Sequence, residues 1–369
     1  MKNELQSIRL HSLDALRGFD MLWIIGVDDL FHQLAKNTNI TFFKAISHQL
    51  DHTVWNGFTA YDMIFPLFLF ISGVASPYSI GRKLEKGISK KAILQQILIR
   101  CLLLLLFGFI YNNGLGIHPL EKYRFPSVLG RIGTAYLFAN IIYLYTNKKM
   151  QVVWVGILLI GYWLLLSFTS AFGFNAGDLS MEGNVVSYID RLLLPGSLYN
   201  TVHDPEGILS TIPAISTGLL GILTGNFLMY NNTTQSRKTL IMLILGFVFI
   251  LLAQIWALVF PINKNLWTSS FVLQAGGISL LLLAFFYYVI DVCGYKKWAF
   301  PLKVIGMNSI AIYMSAVFID YAFTAKSLFA WAIQLTCKPF QIFVSVICIL
   351  VVKWLLLYFL YKKKIFLKI

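Results

Sequence analysis

The sequence contains few charged residues and few cysteines. Charged side chains make up 12% of the 369 residues and hydrophobic ones 58%, whereas soluble domains carry roughly 25% charge. That shortage of charge excludes a water-soluble globular fold for a chain of this length. The four cysteines show neither a CxxC pair nor a zinc-site spacing, so we expect no metal and no disulfide framework.

Acidic residues are scarcer than basic ones. There are 16 Asp and Glu against 30 Lys and Arg, which gives a formal net charge of +14. Such an excess could suit nucleic acid, but the basic residues fall on short loops between apolar runs. Basic residues in that position act as topology signals and contact anionic lipid. We therefore predict that these basic residues contact the lipid bilayer and that the protein does not bind nucleic acid.

Long apolar runs are abundant instead. Each approaches the ~20 residues that a helix needs to cross the hydrocarbon core of a bilayer. The sequence predicts ten spans, at 14–34, 58–80, 91–112, 125–146, 151–170, 207–229, 239–260, 267–291, 301–323 and 339–361. The expected fold is an all-α polytopic membrane bundle of about ten transmembrane helices. It forms a single domain over 1–369, with no separate soluble domain. The segment 1–9 has no signal-peptide pattern.

The basic residues also predict the orientation of the bundle. With ten spans, both termini lie on one side of the membrane. That side carries most of the loop charge: Lys2, Arg9, Arg82, Lys83, Lys86, Lys90, Lys91, Lys148, Lys149, Arg237, Lys238, Lys296, Lys297, Lys303, Lys362, Lys363, Lys364 and Lys368. Cytoplasmic loops are enriched in Lys and Arg, so both termini are expected in the cytoplasm. His52 and the acidic loop 171–206 then face the outer side.

Polar and titratable groups crowd the outer end of the second span. His52, Asn56 and Asp62 precede the apolar run Leu67–Ile71 directly. Ionisable groups within a membrane are costly, so a functional role is the default interpretation. Imidazole titrates near neutrality and suits a base or a nucleophile. On the residues alone, however, His48 lies in the same loop and is as good a candidate as His52.

The first span carries an unusual polar stripe. At about 100° per residue, Asp14, Arg17 and Asp28 lie within roughly 60° of one helix face. Arg17 suits a cytoplasmic anchor neutralised by Asp14. Asp28, near the outer end, has no such explanation and indicates a polar pocket or channel. His32 follows one turn later and could hydrogen-bond Asp28.

Other polar side chains fall within or beside apolar runs. Arg100 is close enough to a helix end to snorkel, whereas Arg131 lies on the outer half of its span. Asn308 follows Gly306, where an amide suits helix packing as well as ligand contact. The acids Asp204 and Glu206 flank a proline at the start of the sixth span, a pattern typical of a helix N-terminus.

Seven motifs occur in the order of one known family. They are Ser12–Gly18, His52 with Trp55–Gly57, Asp62–Pro66, Val128–Ile132, Asp204–Pro213, Asn265–Phe271 and Gly306–Asn308. In these motifs the chain resembles the heparan-α-glucosaminide N-acetyltransferase family. Its members move the acetyl group of cytosolic acetyl-CoA across a membrane to the amine of a terminal glucosamine. The resemblance implies acetyl-CoA as co-substrate and a saccharide or small-molecule acceptor.

The resemblance also implies roles for particular residues. The family's catalytic histidine precedes Trp-Asn-Gly and corresponds to His52, which acts either as a base or as an acyl carrier. On chemical grounds, Asp28 or Asp62 could orient the imidazole, and Asn56 or a backbone amide could stabilise the oxyanion. The lysosomal members have asparagine at the position of Asp28. The remaining assignments are Arg17, Arg100, Arg131 and Asn308 for the coenzyme, and Trp55, Asp204, Glu206 and Trp267 for the acceptor.

Two other functions stay open at this stage. An O-acyltransferase of a cell-envelope glycan or lipid shares the Leu-Arg-Gly feature, but usually has a histidine where this chain has Asp28. A secondary transporter would show an inverted internal repeat, which we do not find. Lysosomal members carry an additional lumenal N-terminal domain, so we expect this chain to be a bacterial inner-membrane protein. The acceptor and the oligomeric state, a homodimer included, are left open.

Overall fold

The fold comes from a computed structural model that describes residues 10–38, 40–230 and 232–367. Within those residues the regular secondary structure is helical, and the β structure amounts to two isolated bridges, Arg124–Gly196 and Asn200–His203. The apolar runs that the sequence contains therefore form helices, as their length predicted. The expectation of an all-α fold is confirmed.

Eight helices in the described part are long and apolar enough to cross a membrane. They are Ala60–Glu85, Lys90–Asn113, Val128–Tyr145, Lys148–Phe168, Thr211–Leu228, Gln235–Ala257, Ser269–Val292 and Lys338–Lys362. A further pair, Phe300–Met307 and Ser309–Phe318, is bent by 66° and would make a ninth span if both halves cross together. The other helices of five residues or more are His11–Leu22, Trp23–Val27, Asp28–Asn37, Thr41–Gln49, Val185–Leu193 and Tyr321–Leu335. The protein is thus a polytopic helical membrane protein.

The segment predicted as the first span is a broken helix. Its backbone leaves helical geometry at Gly26, which has a φ of 111°. Glycine adopts this left-handed region without the steric cost that a Cβ would bring. The polar stripe that we predicted assumed one continuous helix. Asp28 instead begins a new helix beyond the break, so it does not continue the face of Asp14 and Arg17.

Contacts between residues divide the chain into two compact units. The first, called here the terminal unit, comprises the described residues of Met1–His48, Asn232–Leu245 and Leu280–Lys368. The second, the central unit, comprises the described residues of Gln49–Asn231 and Gly246–Ser279. Both units draw on segments far apart in sequence, so each depends on long-range packing.

Small residues allow the helices of the central unit to approach closely. Ile64–Ser76 crosses Thr211–Leu228 at Gly73, where an added Cβ would overlap the carbonyl oxygen of Gly218. A Cβ on Gly221 would likewise overlap the carbonyl of Phe70. Close backbone approach through small residues is a common means of packing helices in membranes. The crossing positions the start of Ile64–Ser76, where the second span's polar residues lie.

An apolar cluster supports two loops of the central unit. Its buried members are Tyr162, Leu166, Val186, Phe260 and Leu266, and Trp55 packs against them from the loop that carries His52. The Tyr162 hydroxyl donates to the carbonyl of Leu266 at 2.6 Å. Buried aromatic groups usually find such a partner for their polar atom. The cluster therefore ties the loop before Ser269–Val292 to the loop around Trp55.

The terminal unit is also closely packed. Gly18 faces the backbone of Leu302, and Gly306 faces that of Asp14, with no room for a Cβ at either glycine. Lys353 had no evident partner in the sequence, and its Nζ donates to the carbonyl oxygen of Ile25 at 2.7 Å. That carbonyl lies beside the break at Gly26. A side-chain donor of this kind satisfies backbone groups that an interrupted membrane helix leaves unpaired.

Candidate active site

The loop that carries His52 is organised by one buried carboxylate. Asp62 lies in the helical turn Ala60–Met63, and its side chain has no exposed surface. Its Oδ2 accepts hydrogen bonds from the backbone N of Thr59 at 3.2 Å, from Thr59 Oγ1 at 3.1 Å and from Thr53 Oγ1 at 3.0 Å. The Thr59 contacts form a capping box, in which the acid stabilises the start of the helix.

The remaining carboxylate oxygen contacts the histidine. His52 Nδ1 lies 2.9 Å from Asp62 Oδ1, and the His52 side chain is 51% exposed. When Nδ1–H donates to the carboxylate, the neutral ring keeps its lone pair on Nε2. A buried acid that holds an accessible imidazole in one tautomer is the arrangement used for general-base catalysis. Asp62, one of the two carboxylates that the sequence proposed, is thus in contact with His52.

A lysine that the sequence did not single out as a site residue completes this cluster. Lys264 Nζ lies 3.0 Å from Nδ1 and 3.2 Å from Nε2 of His52, and 3.5 Å from Asp62 Oδ1. Its side chain is only 15% exposed. Burial lowers the pKa of Lys264, and the charges of Asp62 and Glu206 partly offset that effect. The sequence signal was its position directly before the Asn265–Phe271 motif.

Two loops are joined by the asparagine next to this lysine. Asn263 Nδ2 donates to Asn56 Oδ1 at 3.0 Å, and Asn263 Oδ1 accepts from the backbone N of Leu266 at 2.8 Å. The backbone N of Gly57 also donates to the carbonyl of Ile262 at 2.9 Å. Lys264 is therefore held beside the histidine by its neighbours and not by its own flexible chain. Asn56 keeps its amide nitrogen as the donor that could serve an oxyanion.

Asp204 and Glu206 contact an arginine. Arg124 Nε and Nη2 donate to the two oxygens of Asp204 at 2.8 Å and 2.7 Å, and Nη2 also donates to Glu206. Burial alone would lower the pKa of Arg124, but the two carboxylates outweigh burial and raise the pKa above its ordinary value. The helix that we expected to begin at this acidic segment starts only at Thr211. Asp204 thus forms a bidentate ion pair with Arg124, Glu206 adds one contact, and neither acid lies at a helix N-terminus.

Arg131 and Trp267 lie together in the central unit. The Arg131 side chain is buried, donates to Ser210 Oγ, and lies over the Trp267 ring at 5.0 Å. Trp267 Nε1 is 3.3 Å from Thr217 Oγ1. The Nε and Nη1 atoms of Arg131 have no hydrogen-bond partner among the described residues. Stacking on an aromatic face offsets only part of the free-energy cost of burying a guanidinium group.

Two other predicted site residues of the central unit have structural contacts. Trp55 Nε1 donates to the carbonyl of Leu179 at 2.9 Å, and the edge of its ring meets the ring of His203. Arg100 lies with its guanidinium 4.3 Å above the Tyr136 ring. Trp55 follows the catalytic candidate in the same loop, whereas Arg100 is on the helix Lys90–Asn113.

The other predicted site residues belong to the terminal unit. Arg17 Nη1 lies 3.7 Å from Asp14 Oδ1. Asn308 donates to the carbonyl of Ile365 at 2.9 Å and accepts from the backbone N of Leu367 at 3.1 Å, so its amide holds the C-terminal segment. Asp28 begins the helix Asp28–Asn37. In the same unit, His32 Nδ1 lies 2.7 Å from Ser47 Oγ. Among the described residues, His52, Asp62 and Lys264 thus form the cluster in which an imidazole, a carboxylate and an ammonium group are in direct contact.

The fold and this cluster define a polytopic membrane protein with an imidazole, a carboxylate and an ammonium group at the end of a span. A family model described as "Heparan-alpha-glucosaminide N-acetyltransferase, catalytic" matches residues 9–260, and the chain belongs to that family. His52 and Asp62 fall within the matched residues, whereas Lys264 follows them.

Two curated relatives extend the similarity to nearly the whole chain. Heparan-alpha-glucosaminide N-acetyltransferases of Mus musculus and of Homo sapiens are each 30% identical to it over 415 aligned residues. Each alignment covers 98% of this chain and 60% of the relative. The chain therefore spans about 60% of the length of these relatives. The resemblance seen in the motifs is confirmed.

Proposed function

We propose that this protein is a transmembrane acetyltransferase. It transfers the acetyl group of cytosolic acetyl-CoA to the amine of an amino sugar on the outer side of the membrane, which we expect to be a bacterial inner membrane. The observation that carries the proposal is the contact of His52 with buried Asp62 and Lys264 in a chain of this family. An oriented imidazole is the group that acyl transfer to an amine needs, because the amine must lose a proton.

In direct transfer, His52 acts as a general base. Its Nε2 takes a proton from the ammonium of the acceptor, whose nitrogen then attacks the thioester carbonyl carbon. The C–S bond breaks, the departing thiolate takes up the proton from the imidazolium, and the nitrogen of the new amide releases its second proton to water. Asp62 stabilises the imidazolium through Nδ1, as a carboxylate does for a catalytic histidine. Lys264 and Asn56 offer N–H donors to the oxygen that becomes negative in the transition state.

In a two-step transfer, the same nitrogen attacks the thioester. His52 Nε2 forms an acetyl-imidazole and coenzyme A leaves as its thiolate, after which the acceptor amine attacks the acetyl group and releases the ring. The carrier mechanism predicts labelled protein when the enzyme meets [¹⁴C]acetyl-CoA without acceptor. Direct transfer predicts none. Both mechanisms use His52, so the assignment of the residue does not depend on the choice.

Other residues would bind the two substrates. Asp204 and Glu206 would provide negative charge for an amino sugar, and the indoles of Trp55 and Trp267 would pack on its ring. Arg17 or Arg100 would bind coenzyme A phosphates, a role for which guanidinium groups are well suited. Arg131 has unsatisfied donors for such a ligand. Asn308 would act by holding the C-terminal segment.

Acetyl transfer by isolated membranes tests the proposal. Membranes containing the protein, supplied with [¹⁴C]acetyl-CoA, should acetylate glucosamine or glucosamine oligomers, and cell-wall fragments should be compared beside them. An N-acetyl product resists mild alkali, whereas an O-acetyl ester does not. A base-labile product would replace this proposal with the O-acyltransferase alternative. Absence of any acetyl product with all acceptors would contradict acetyl transfer.

The transmembrane part of the proposal makes a separate prediction. In a variant with its native cysteines replaced by serine, a cysteine at Lys44 should react with an impermeant maleimide added to intact cells. A cysteine at Lys86 should be spared, because the basic loop that carries it is expected in the cytoplasm. Labelling after detergent lysis controls for accessibility. The reverse pattern would overturn both the orientation and transfer from inside to outside.

A further inference from the structure

Lys264 places a primary amine against the nitrogen that handles the acetyl group in the proposed reaction. Its Nζ lies 3.2 Å from His52 Nε2 and 3.0 Å from Nδ1, but 3.5 Å from Asp62 Oδ1. A charge-assisted hydrogen bond to a carboxylate is usually ~2.7–2.9 Å long. A lysine that served only to neutralise Asp62 would therefore lie closer to the carboxylate than to the imidazole.

The backbone around Lys264 is fixed by hydrogen bonds and by a buried aromatic residue. The Lys264 carbonyl accepts from the backbone N of Trp267 at 3.1 Å, and Trp267 is itself buried. Reacting atoms in near-attack geometry are ~3–3.5 Å apart. Nζ already lies within that range of His52 Nε2, the nitrogen that the acetyl group must approach. An amine held in place in this way reacts far faster than the same amine in solution.

The protonation state of this amine decides whether it can react. Only the neutral form has a lone pair that can attack a carbonyl carbon, and desolvation of a lysine favours that form. Burial lowers the pKa of Lys264, and the charge of Arg131 acts in the same direction. The charges of Asp62 and Glu206 oppose both effects. The two acids thus restrain an amine that its burial otherwise makes nucleophilic.

We propose that Lys264 is a self-acetylation site, at which the protein inactivates itself when it meets acetyl-CoA without an acceptor. The inference rests on the proposed function, because the acetyl group must first reach His52. When an acceptor is bound, its amine takes the acetyl group. When no acceptor is bound, the Lys264 amine is in contact with the imidazole and takes its place.

Either mechanism can supply the acetyl group. From an acetyl-imidazole, neutral Nζ attacks the carbonyl carbon, the new N–C bond forms, the bond to His52 Nε2 breaks, and Nε2 takes up the proton that Nζ loses. In direct transfer, Nζ attacks the thioester carbon, coenzyme A leaves as its thiolate, and His52 passes the proton from Nζ to the sulfur. Both routes end in an amide on Lys264, which is stable in water.

Acetylation would remove the functions that Lys264 has in the unmodified protein. An acetylated lysine carries no charge, so the ammonium that faces Asp62 is lost. The charged N–H donors proposed for the oxyanion are lost with it. The added acetyl group also lies against the imidazole. Protein acetylated at Lys264 should therefore transfer acetyl groups slowly or not at all.

Mass spectrometry of the purified whole protein tests the inference. After incubation with acetyl-CoA and no acceptor, the peptide that contains Lys264 should gain the mass of one acetyl group in a time-dependent manner. The rate of glucosamine-oligomer acetylation measured afterwards should fall in proportion to the modified fraction. Glucosamine oligomers present during the incubation should prevent both changes. A Lys264 that stays unmodified without acceptor would overturn the inference.

Lys122 is the internal control for chemical acetylation. It is an exposed lysine of the same unit, so acetylation by acetyl-CoA in solution should modify it at least as fast as Lys264. Equal modification of the two lysines would contradict a specific site. His52→Ala should leave Lys264 unmodified, whereas His48→Ala should be modified like wild type. Acetylation of Lys264 to the wild-type extent in His52→Ala would equally contradict the inference, because the imidazole would have no part in it.

Lys264→Arg tests the link between modification and inactivation. A guanidinium stays protonated and is not acetylated. Whatever its starting rate, the variant should keep that rate after incubation with acetyl-CoA, over a period in which wild type loses most of its activity. A decline equal to that of wild type would show that inactivation does not arise at Lys264.

The acetyl-imidazole and the acetyl-lysine differ in chemical stability. Hydroxylamine releases acetyl from imidazole but not from a lysine amide. Lys264 adds a stable label in either mechanism, so the label that distinguishes a carrier mechanism from direct transfer is the one that hydroxylamine removes from His52.

Failure of this inference can be distinguished from failure of the proposed function. If glucosamine oligomers are acetylated while Lys264 stays unmodified, only self-acetylation is wrong. If Lys264 is acetylated and no acceptor is, self-acetylation holds and the choice of acceptor is wrong. Absence of both products would contradict acetyl transfer and self-acetylation together.

Discussion

Replacement of His52 by alanine should abolish acetyl transfer while the protein stays folded and still binds coenzyme A. Loss of a general base typically costs ~10²–10⁴ in rate, and loss of an acyl carrier costs more. The side chain is half exposed, so its removal leaves no large buried cavity. The measurement is initial-rate acetylation of glucosamine oligomers by purified protein, with coenzyme A binding measured on the same sample.

His48→Ala is the matched control for that prediction. His48 is an exposed histidine at the end of the helix Thr41–Gln49, a few residues before His52. Its replacement should change the rate little. If His52→Ala keeps wild-type turnover, the assignment is wrong, and His32 beside Ser47 becomes the next candidate for the base.

Replacement of Asp62 by asparagine should lower kcat by about two orders of magnitude or more. The substitution removes the charge that stabilises imidazolium and places an amide where Nδ1–H needs an acceptor. It also leaves the Lys264 ammonium without its nearest carboxylate. Loss of that charge removes a contribution that raises the pKa of Lys264, so the amine should become neutral at lower pH. The measurement is the pH–rate profile of the variant beside that of wild type.

A double variant separates the two roles of this carboxylate. Asp62→Asn combined with Lys264→Met has no buried ammonium to compensate, so the folding defect that an unpaired charge causes should be relieved. If Asp62 orients His52, the double variant should be as stable as wild type to within a modest difference but slower than Lys264→Met alone, which lacks only the Lys264 N–H donors. A kcat equal to that of Lys264→Met alone would instead show that Asp62 serves only to neutralise Lys264. Thermal unfolding in detergent reports the stability of both variants.

Part of the candidate site could be predicted from the sequence because its residues are local. His52 and Asp62 are ten positions apart, at the mouth of an apolar run that has to enter the bilayer. The sequence could not decide whether Asp28 or Asp62 contacts His52, since both residues flank a span. Asp62 contacts the imidazole because the capping box at Thr59 turns its loop back over the start of the helix.

The presence of Lys264 at the candidate site could not be predicted from local sequence. It lies 212 positions after His52, and a lysine between two spans is explained well enough as a loop charge. Two hydrogen bonds made by its neighbours, from Gly57 to Ile262 and from Asn263 to Asn56, bring it to the imidazole. Contacts between distant loops depend on how the helices beneath them pack, and hydrophobicity alone does not specify that packing.

The fold, like the site, could be predicted from the sequence only in part. Most of the spans followed from the sequence by itself, because a bilayer requires about 20 apolar residues in helical form whatever their neighbours are. The break at Gly26 did not follow from the sequence, since a glycine in an apolar run is compatible with a continuous helix. In the structure, Lys353 donates a hydrogen bond to the carbonyl of Ile25 beside the break. Composition therefore determined that this chain is a helical membrane protein, and its motifs indicated the family. Only the tertiary structure decided which charges meet, because a buried charge is stable where other segments bring it a partner.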